Sequence, residues 1–150
     1  MSIAASIDVK LVKYSSRCVV QKEIVQILLD YGWSLNDNGK MTYLPVGDNG
    51  AFSWVSEDIS TNFFMETLQK KEKLGENIGV NLTWKNTNVG GSFLFFDDNV
   101  LSVTLTINRK IFIRKNNLEV TDVNWYLERL LPPLNAEDLR IGHFAYEEHE

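Results

Sequence analysis

Apolar and polar residues alternate from the start of the chain: Ile7, Val9 and Leu11 are separated by Asp8 and Lys10, and the run continues to Tyr14. A period of two sends successive side chains to opposite faces, so residues 6 to 14 read as a first, half-buried strand. The period then lengthens. Val20, Ile24, Ile27, Leu28 and Tyr31 fall on one helical face, with Ser15-Ser16 as candidate N-caps and Gly32 able to end the helix in the left-handed conformation. After the polar turn Asn36-Asp37-Asn38-Gly39, two extended runs, Met41 to Val46 and Ala51 to Val55, flank Gly47-Asp48-Asn49-Gly50. The Asn-Gly pair predicts a hairpin, and Pro45, which has no N–H, pushes its strand toward an edge. Ser60 caps a second helix that turns Phe63, Phe64 and Leu68 inward and ends at Gly75. The polar run Gln69 to Lys73 places positive charge in its last turn, opposing the helix dipole.

From Ile78 the pattern is that of strands. Ile78, Val80, Leu82 and Trp84 share one face and Leu101, Val103, Leu105 and Ile107 another, with Asn, Ser and Thr between them. Phe93 to Phe96 lies between these two, and Ile111 to Arg114 follows after a short connection, which together predict a four-strand antiparallel meander with one face on the core. Thr121 reads as the N-cap of a third helix with Asp122 in its first turn. Its buried stripe is Val123, Tyr126, Leu127, Leu130 and Leu131, and Pro132-Pro133 stops it. A short helical turn at Ala136 to Leu139 and an extended Arg140 to Tyr146 complete the chain. The expectation is a single α+β domain over residues 1–150, a mostly antiparallel sheet (N-terminal strand, hairpin, four-strand meander) packed with about three helices.

Composition narrows the function classes. At 150 residues and 44% hydrophobic, the chain can bury roughly 70% of its unfolded surface without disulfides or metal, which excludes disorder and a disulfide-stapled miniprotein. Fifteen Lys and Arg against twenty Asp and Glu give a net charge of −5, which argues against binding along a phosphate backbone. Residues 76 to 150 hold 11 acids against 7 bases, whereas residues 1 to 75 hold 9 against 8, so the C-terminal half carries most of the negative field. One cysteine, no basic and apolar leader and no apolar run of about 20 residues lead to the expectation of a cytoplasmic protein outside the membrane.

No constellation of residues names a reaction. His143 and His149 match no zinc spacing, so no metal is expected. Cys18 stands near a helix start beside Arg17, where a thiolate is favoured, but a nucleophile needs a base and a lone Cys beside Val19 and Val20 is more often a small buried apolar residue. Asp97-Asp98, alone or with Glu57-Asp58, suggests paired carboxylates or a hard-cation site. Adjacent acids in a strand point to opposite faces, however, so these pairs are better explained by turns and a helix start. Neither Gly47 to Gly50 nor Val89-Gly90-Gly91-Ser92 has a phosphate-loop or dinucleotide pattern, and no cofactor is expected. Arg109-Lys110 and Arg114-Lys115 around Phe112 are too few for a base-stacking sheet in an acidic chain. Trp84 completes a core face, Trp33 and Trp54 flank loops, and Trp125 falls off its helix stripe. An exposed Trp is either a binding anchor or the cover of a secondary contact.

In size and architecture, and in the segment Tyr43-Leu-Pro-Val-Gly-Asp-Asn-Gly-Ala-Phe-Ser-Trp54, the chain resembles the immunity proteins of bacterial contact-dependent inhibition and related polymorphic toxin systems. These share no catalytic motif, so no residue role transfers by position. The resemblance implies a stoichiometric inhibitor, not an enzyme, that binds the C-terminal domain of a cognate toxin, commonly a nuclease. An acidic inhibitor would be steered to the basic cleft of such a partner, without contacting nucleic acid itself. The interface residues expected on this reading are Asp48, Trp54, Glu57, Asp58, Asp97 and Asp98. The alternatives are a small enzyme using Cys18 or a carboxylate, in which Cys18 and His143 converge, and an adaptor domain for another protein.

Overall fold

The computed structural model describes residues 3–13, 21–96, 99–116, 118–135 and 139–149. Among the described residues, ten strands and three helices follow in the order β1 (Ala4–Lys13), α1 (Gln21–Tyr31), β2 (Trp33–Ser34), β3 (Met41–Tyr43), β4 (Val55–Glu57), α2 (Thr61–Leu74), β5 (Ile78–Trp84), β6 (Gly90–Phe96), β7 (Val100–Ile107), β8 (Ile111–Lys115), β9 (Leu118–Thr121), α3 (Val123–Leu134) and β10 (Leu139–His149). One antiparallel sheet runs β10-β1-β7-β6-β5-β3-β4, and β2 pairs with the Trp84 end of β5. The fold is α+β, as the sequence predicts.

The periodicity that defined the strands also defines the layers. Ile7, Val9 and Leu11 of β1, Ile78, Val80 and Leu82 of β5, Phe93 and Phe95 of β6 and Leu101, Val103 and Leu105 of β7 form one buried cluster. Ile24, Val25 and Leu28 of α1, Phe64 and Leu68 of α2 and Tyr126, Leu130 and Leu134 of α3 join the same cluster. All three helices therefore cover one face. The other face carries the alternating set, Ser6, Asp8, Asn81, Ser92, Ser102 and Thr104, which agrees with the expectation of a sheet packed on one side.

Several local expectations change. Three strands of the predicted meander, β5 to β7, are adjacent, but β8 leaves the sheet and pairs with β9 in a two-stranded ribbon. The free side of β7 is already taken by β1, a pairing across about ninety residues of chain that local periodicity cannot reveal. The β3–β4 hairpin exists, but its second strand is Val55–Glu57 instead of Ala51 to Val55, so residues 44–54 connect the strands and Met41 stands opposite Glu57. Phe63 is 46% exposed instead of inward. Asp122, not Thr121, caps α3 by accepting from the Trp125 N–H at 3.2 Å, because Thr121 still belongs to β9.

Nor do the two prolines stop α3, which continues to Leu134 with Pro133 and Leu134 buried. Pro133 has no N–H for the carbonyl of Arg129, four residues back. The indole Nε1–H of Trp33 donates to that carbonyl at 2.9 Å, so the orphaned acceptor is satisfied from another element.

Ser60 caps α2 as predicted, its Oγ accepting from the Phe63 N–H, and Gly75 closes the helix in the left-handed conformation. Ser60→Ala should lower stability by about 1 kcal/mol, read as a shifted urea midpoint with unchanged slope. The candidate N-caps Ser15 and Ser16, the thiol of Cys18 and most of the proposed turn at 136–139 lie outside the described residues, as do Asp97 and Asp98.

Candidate functional site

Four of the six residues expected at an interface, Asp48, Trp54, Glu57 and Asp58, lie on the β3–β4 hairpin. Its connecting segment, residues 44–54, is ordered by Asp48. The Asp48 carboxylate accepts from the backbone N–H groups of Phe52 at 3.0 Å and Ser53 at 2.8 Å, and its carbonyl accepts from Ala51 N–H at 3.0 Å. Phe52 is thereby held at φ 53°, in the left-handed region that bulky residues avoid. The residue is 44% exposed. A conformation that costs of order 1–3 kcal/mol persists only where surrounding bonds impose it, and such strain gathers at functional positions. Phe52 was not among the expected residues. Nothing in the sequence distinguishes it, since it sits between Ala51 and Ser53 with no apolar period.

The loop is tied down at its other end by a buried charge pair. Lys71 of α2, whose side chain is 1% exposed, donates from Nζ to the carbonyl of Pro45 at 2.8 Å and to Glu76 Oε1 at 3.1 Å. Glu76 in turn accepts from the Gly47 N–H at 2.9 Å. Burial raises the Glu76 carboxyl, but the Gly47 N–H and the Lys71 ammonium outweigh it and hold the group below the ordinary glutamate range. Asp48, Asn49 and Gly50 on the loop face Lys71 and Glu76 across a shallow depression of about 310 Å³.

The remaining hairpin acids are also engaged. Glu57 Oε2 accepts from the Tyr43 hydroxyl at 2.9 Å, and burial together with this carboxylate pushes the Tyr43 phenol up to about 12. Asp58 pairs with Lys40 at 2.6 Å on the exposed surface, where such a pair contributes little to stability. Trp54 lies over Gly79 beside the buried Leu44, on the face of the sheet that the helices leave open. Residues 41–58 contain three acids and no base, and Lys40 just before them pairs with Asp58. Exposed apolar residues lie in it, Val46 and Phe52, and follow it in sequence, Ile59 and Phe63.

Among the described residues, the other candidates are not gathered into a site. His143 and His149 are exposed on β10, at the edge of the sheet opposite the hairpin. Among the described residues no group of three or more His, Cys, Asp or Glu is placed to hold a metal ion, and no helix is long and apolar enough to cross a membrane. Phe112 is 69% exposed on the β8–β9 ribbon. Trp33 is buried, and Trp84 and Trp125 sandwich the Arg129 guanidinium at 5.3 and 4.2 Å from the ring centroids, which accounts for both rings by packing. A cleft of about 450 Å³ between the 36–39 turn and residues 87–88 and 107–108 is polar, but its groups already serve the turns: Asn36 Oδ1 accepts from Gly39 N–H, and Asn108 Nδ2 donates to the Asn88 carbonyl.

No family model, curated protein or solved structure matches this chain.

Proposed function

We propose that the protein is a binding module, without chemistry of its own, that recognises another protein through the β3–β4 hairpin and acts as a stoichiometric inhibitor of the immunity type. The observation that carries this reading is Phe52, an aromatic ring displayed to solvent on a strained backbone that Asp48 fixes from below. Rigid, pre-ordered aromatics make effective anchors because little conformational entropy remains to be lost on binding. Glu57 and Asp58, at the end of the same hairpin, suit a partner with basic groups around an apolar pocket, as a nuclease toxin domain would present. Asp48 changes role on this reading, from a charge offered to the partner to the residue that shapes the loop.

The test is whether a neighbouring gene encodes a toxin domain, whether this protein binds that domain, and whether binding inhibits its activity. A one-to-one complex is expected. Phe52→Gly should separate two effects: it relieves the left-handed strain, leaving stability unchanged or higher by up to about 1 kcal/mol, while weakening binding by about 2 kcal/mol. Charge reversal of Glu57 and Asp58 should slow association and flatten its salt dependence. Equal affinity for Phe52→Gly and wild type would remove the hairpin from the interface, and binding without inhibition would make the protein an adaptor.

A further inference from the structure

The opposite edge of the sheet carries a different kind of surface. β10 is eleven residues long, and its inner side pairs with β1 from Ala4↔His149 to Lys13↔Leu139. Its outer side ends the strand order. Exposed edges are usually blunted by lysine, proline or extreme shortness, because their unpaired N–H and C=O groups are a template for another strand. β10 has no Lys and no Pro, its bulge at Gly142 precedes residues 143–147, and the one acidic or basic residue within 143–147, apart from His143, is Glu147. Among the described residues, Asn135 Oδ1 accepts from the Ile141 N–H at 3.4 Å at the beginning of the strand, before the irregularity at Gly142, and Thr121 and Arg109 hold the Glu148 side chain near its end, so residues 143–147 lie between these contacts. By contrast, the strand at the other edge, β4, has three residues.

The residues of β10 are complementary to themselves. Pairing with Lys10, Asp8 and Ser6 puts His143, Ala145 and Glu147 on the open face of the sheet, and pairing with Val9 and Ile7 puts Phe144 and Tyr146 on the helix-covered face. Two identical antiparallel strands related by a two-fold axis must pair about a residue, since cross-strand partners share a face. With Ala145 opposite Ala145, His143 meets Glu147 and Phe144 meets Tyr146, twice each. Centring on Phe144 instead sets His143 opposite Ala145, and centring on Tyr146 sets Ala145 opposite Glu147, so both neighbouring registers lose the match. Neither His143 nor Glu147 has a side-chain partner among the described residues, and Phe144 is 42% exposed.

We propose that the protein self-associates through β10, with residues 143–147 of two copies forming an antiparallel pair centred on Ala145. Each His143 ring N–H donates to Glu147 of the other copy, and each Phe144 packs on the other copy's Tyr146. The two sheets become one, and the β3–β4 hairpins stay at its far ends. The inference therefore stands apart from the partner-binding reading.

Sedimentation of the full chain from about 1 to about 200 μM should show the mass rising from 17.2 kDa toward twice that value. Glu147→Lys, which sets two donors against each other, and Phe144→Lys should each weaken association about tenfold or more, with far-UV dichroism unchanged. Exchanging the pair, His143→Glu with Glu147→Lys, should restore it. A monomer across the whole range, a dimer that survives both single substitutions, or failure of the exchanged pair to recover association would overturn the proposal.

Discussion

Lys71→Ala is expected to destabilise the protein by about 3–5 kcal/mol, measured by urea unfolding. The ammonium is almost wholly out of water and is satisfied by a carbonyl and a carboxylate, so the native state has already met the cost of its burial through Pro45 and Glu76. Removing the cation alone leaves Glu76, whose side chain is 11% exposed, without its counter-charge. It also frees the Pro45 carbonyl that fixes the start of the hairpin loop. Lys71→Met combined with Glu76→Gln removes both charges and should recover most of the loss, because no unpaired ion remains. The pair has a pH signature of determined sign. Glu76 has a lowered folded-state pKa, so its contribution is complete above the ordinary glutamate range and is lost as pH falls through the folded value. Wild-type stability should therefore drop on acidification more steeply than that of Glu76→Gln. Identical slopes would mean that the carboxylate is not held by Gly47 and Lys71 in solution.

What could be read from the sequence follows the range of the interactions involved. β5 and β7 were clear because a buried face and an open face impose a period of two within each strand. The departure of β8 was not, because it is decided by β1 occupying the side of β7 that β8 would have used. From the sequence, Lys71 reads only as positive charge in the last turn of α2, yet it stands in helical register with Phe64, Thr67 and Leu68, and that spacing is the available signal for burial. Nothing local named Pro45 and Glu76 as its partners. The prolines in α3 were read by their usual effect as breakers; the compensating donor, Trp33, is 96 residues from the carbonyl it satisfies.

The candidate site divides in the same way. Asp48, Trp54, Glu57 and Asp58 fall together because they are neighbours along one hairpin, a matter of sequence distance. Their roles were not readable. Each acid proved to have an internal partner, whether backbone N–H, phenol or ammonium, and the exposed anchor, Phe52, carried no pattern of its own. The excess of acid in the C-terminal half likewise gives no location. Glu147 and Glu148 lie on β10, across the sheet from the hairpin.

Gly90→Ala should cost about 3 kcal/mol or more, and Gly91→Ala a similar amount, both read from thermal or urea unfolding. A Cβ at Gly90 would stand 2.0 Å from the Leu82 carbonyl oxygen and 2.7 Å from the Thr83 Cα, and one at Gly91 would stand 2.3 Å from the Thr104 carbonyl oxygen. These obstacles are backbone atoms of the two flanking strands, so relief requires the sheet itself to separate. The cause is the shift in register between Gly90 and Ser92 on the β6–β7 pair, which brings neighbouring strands over residues that have no side chain. Gly79→Ala is the control. Its Cβ would meet Leu44 Cδ1 at 2.7 Å and Trp54 at 2.9 Å, which are side-chain atoms able to move, so its cost should be smaller, about 1 kcal/mol. It should instead displace Trp54 and change that residue's fluorescence, an effect absent from the other two variants. If Gly79→Ala proved the most damaging of the three, the close approach of backbone at Gly90 and Gly91 would be refuted. The expected order identifies Gly90-Gly91 as the contact that lets β5, β6 and β7 pack edge to edge. It also explains the glycine pair by packing.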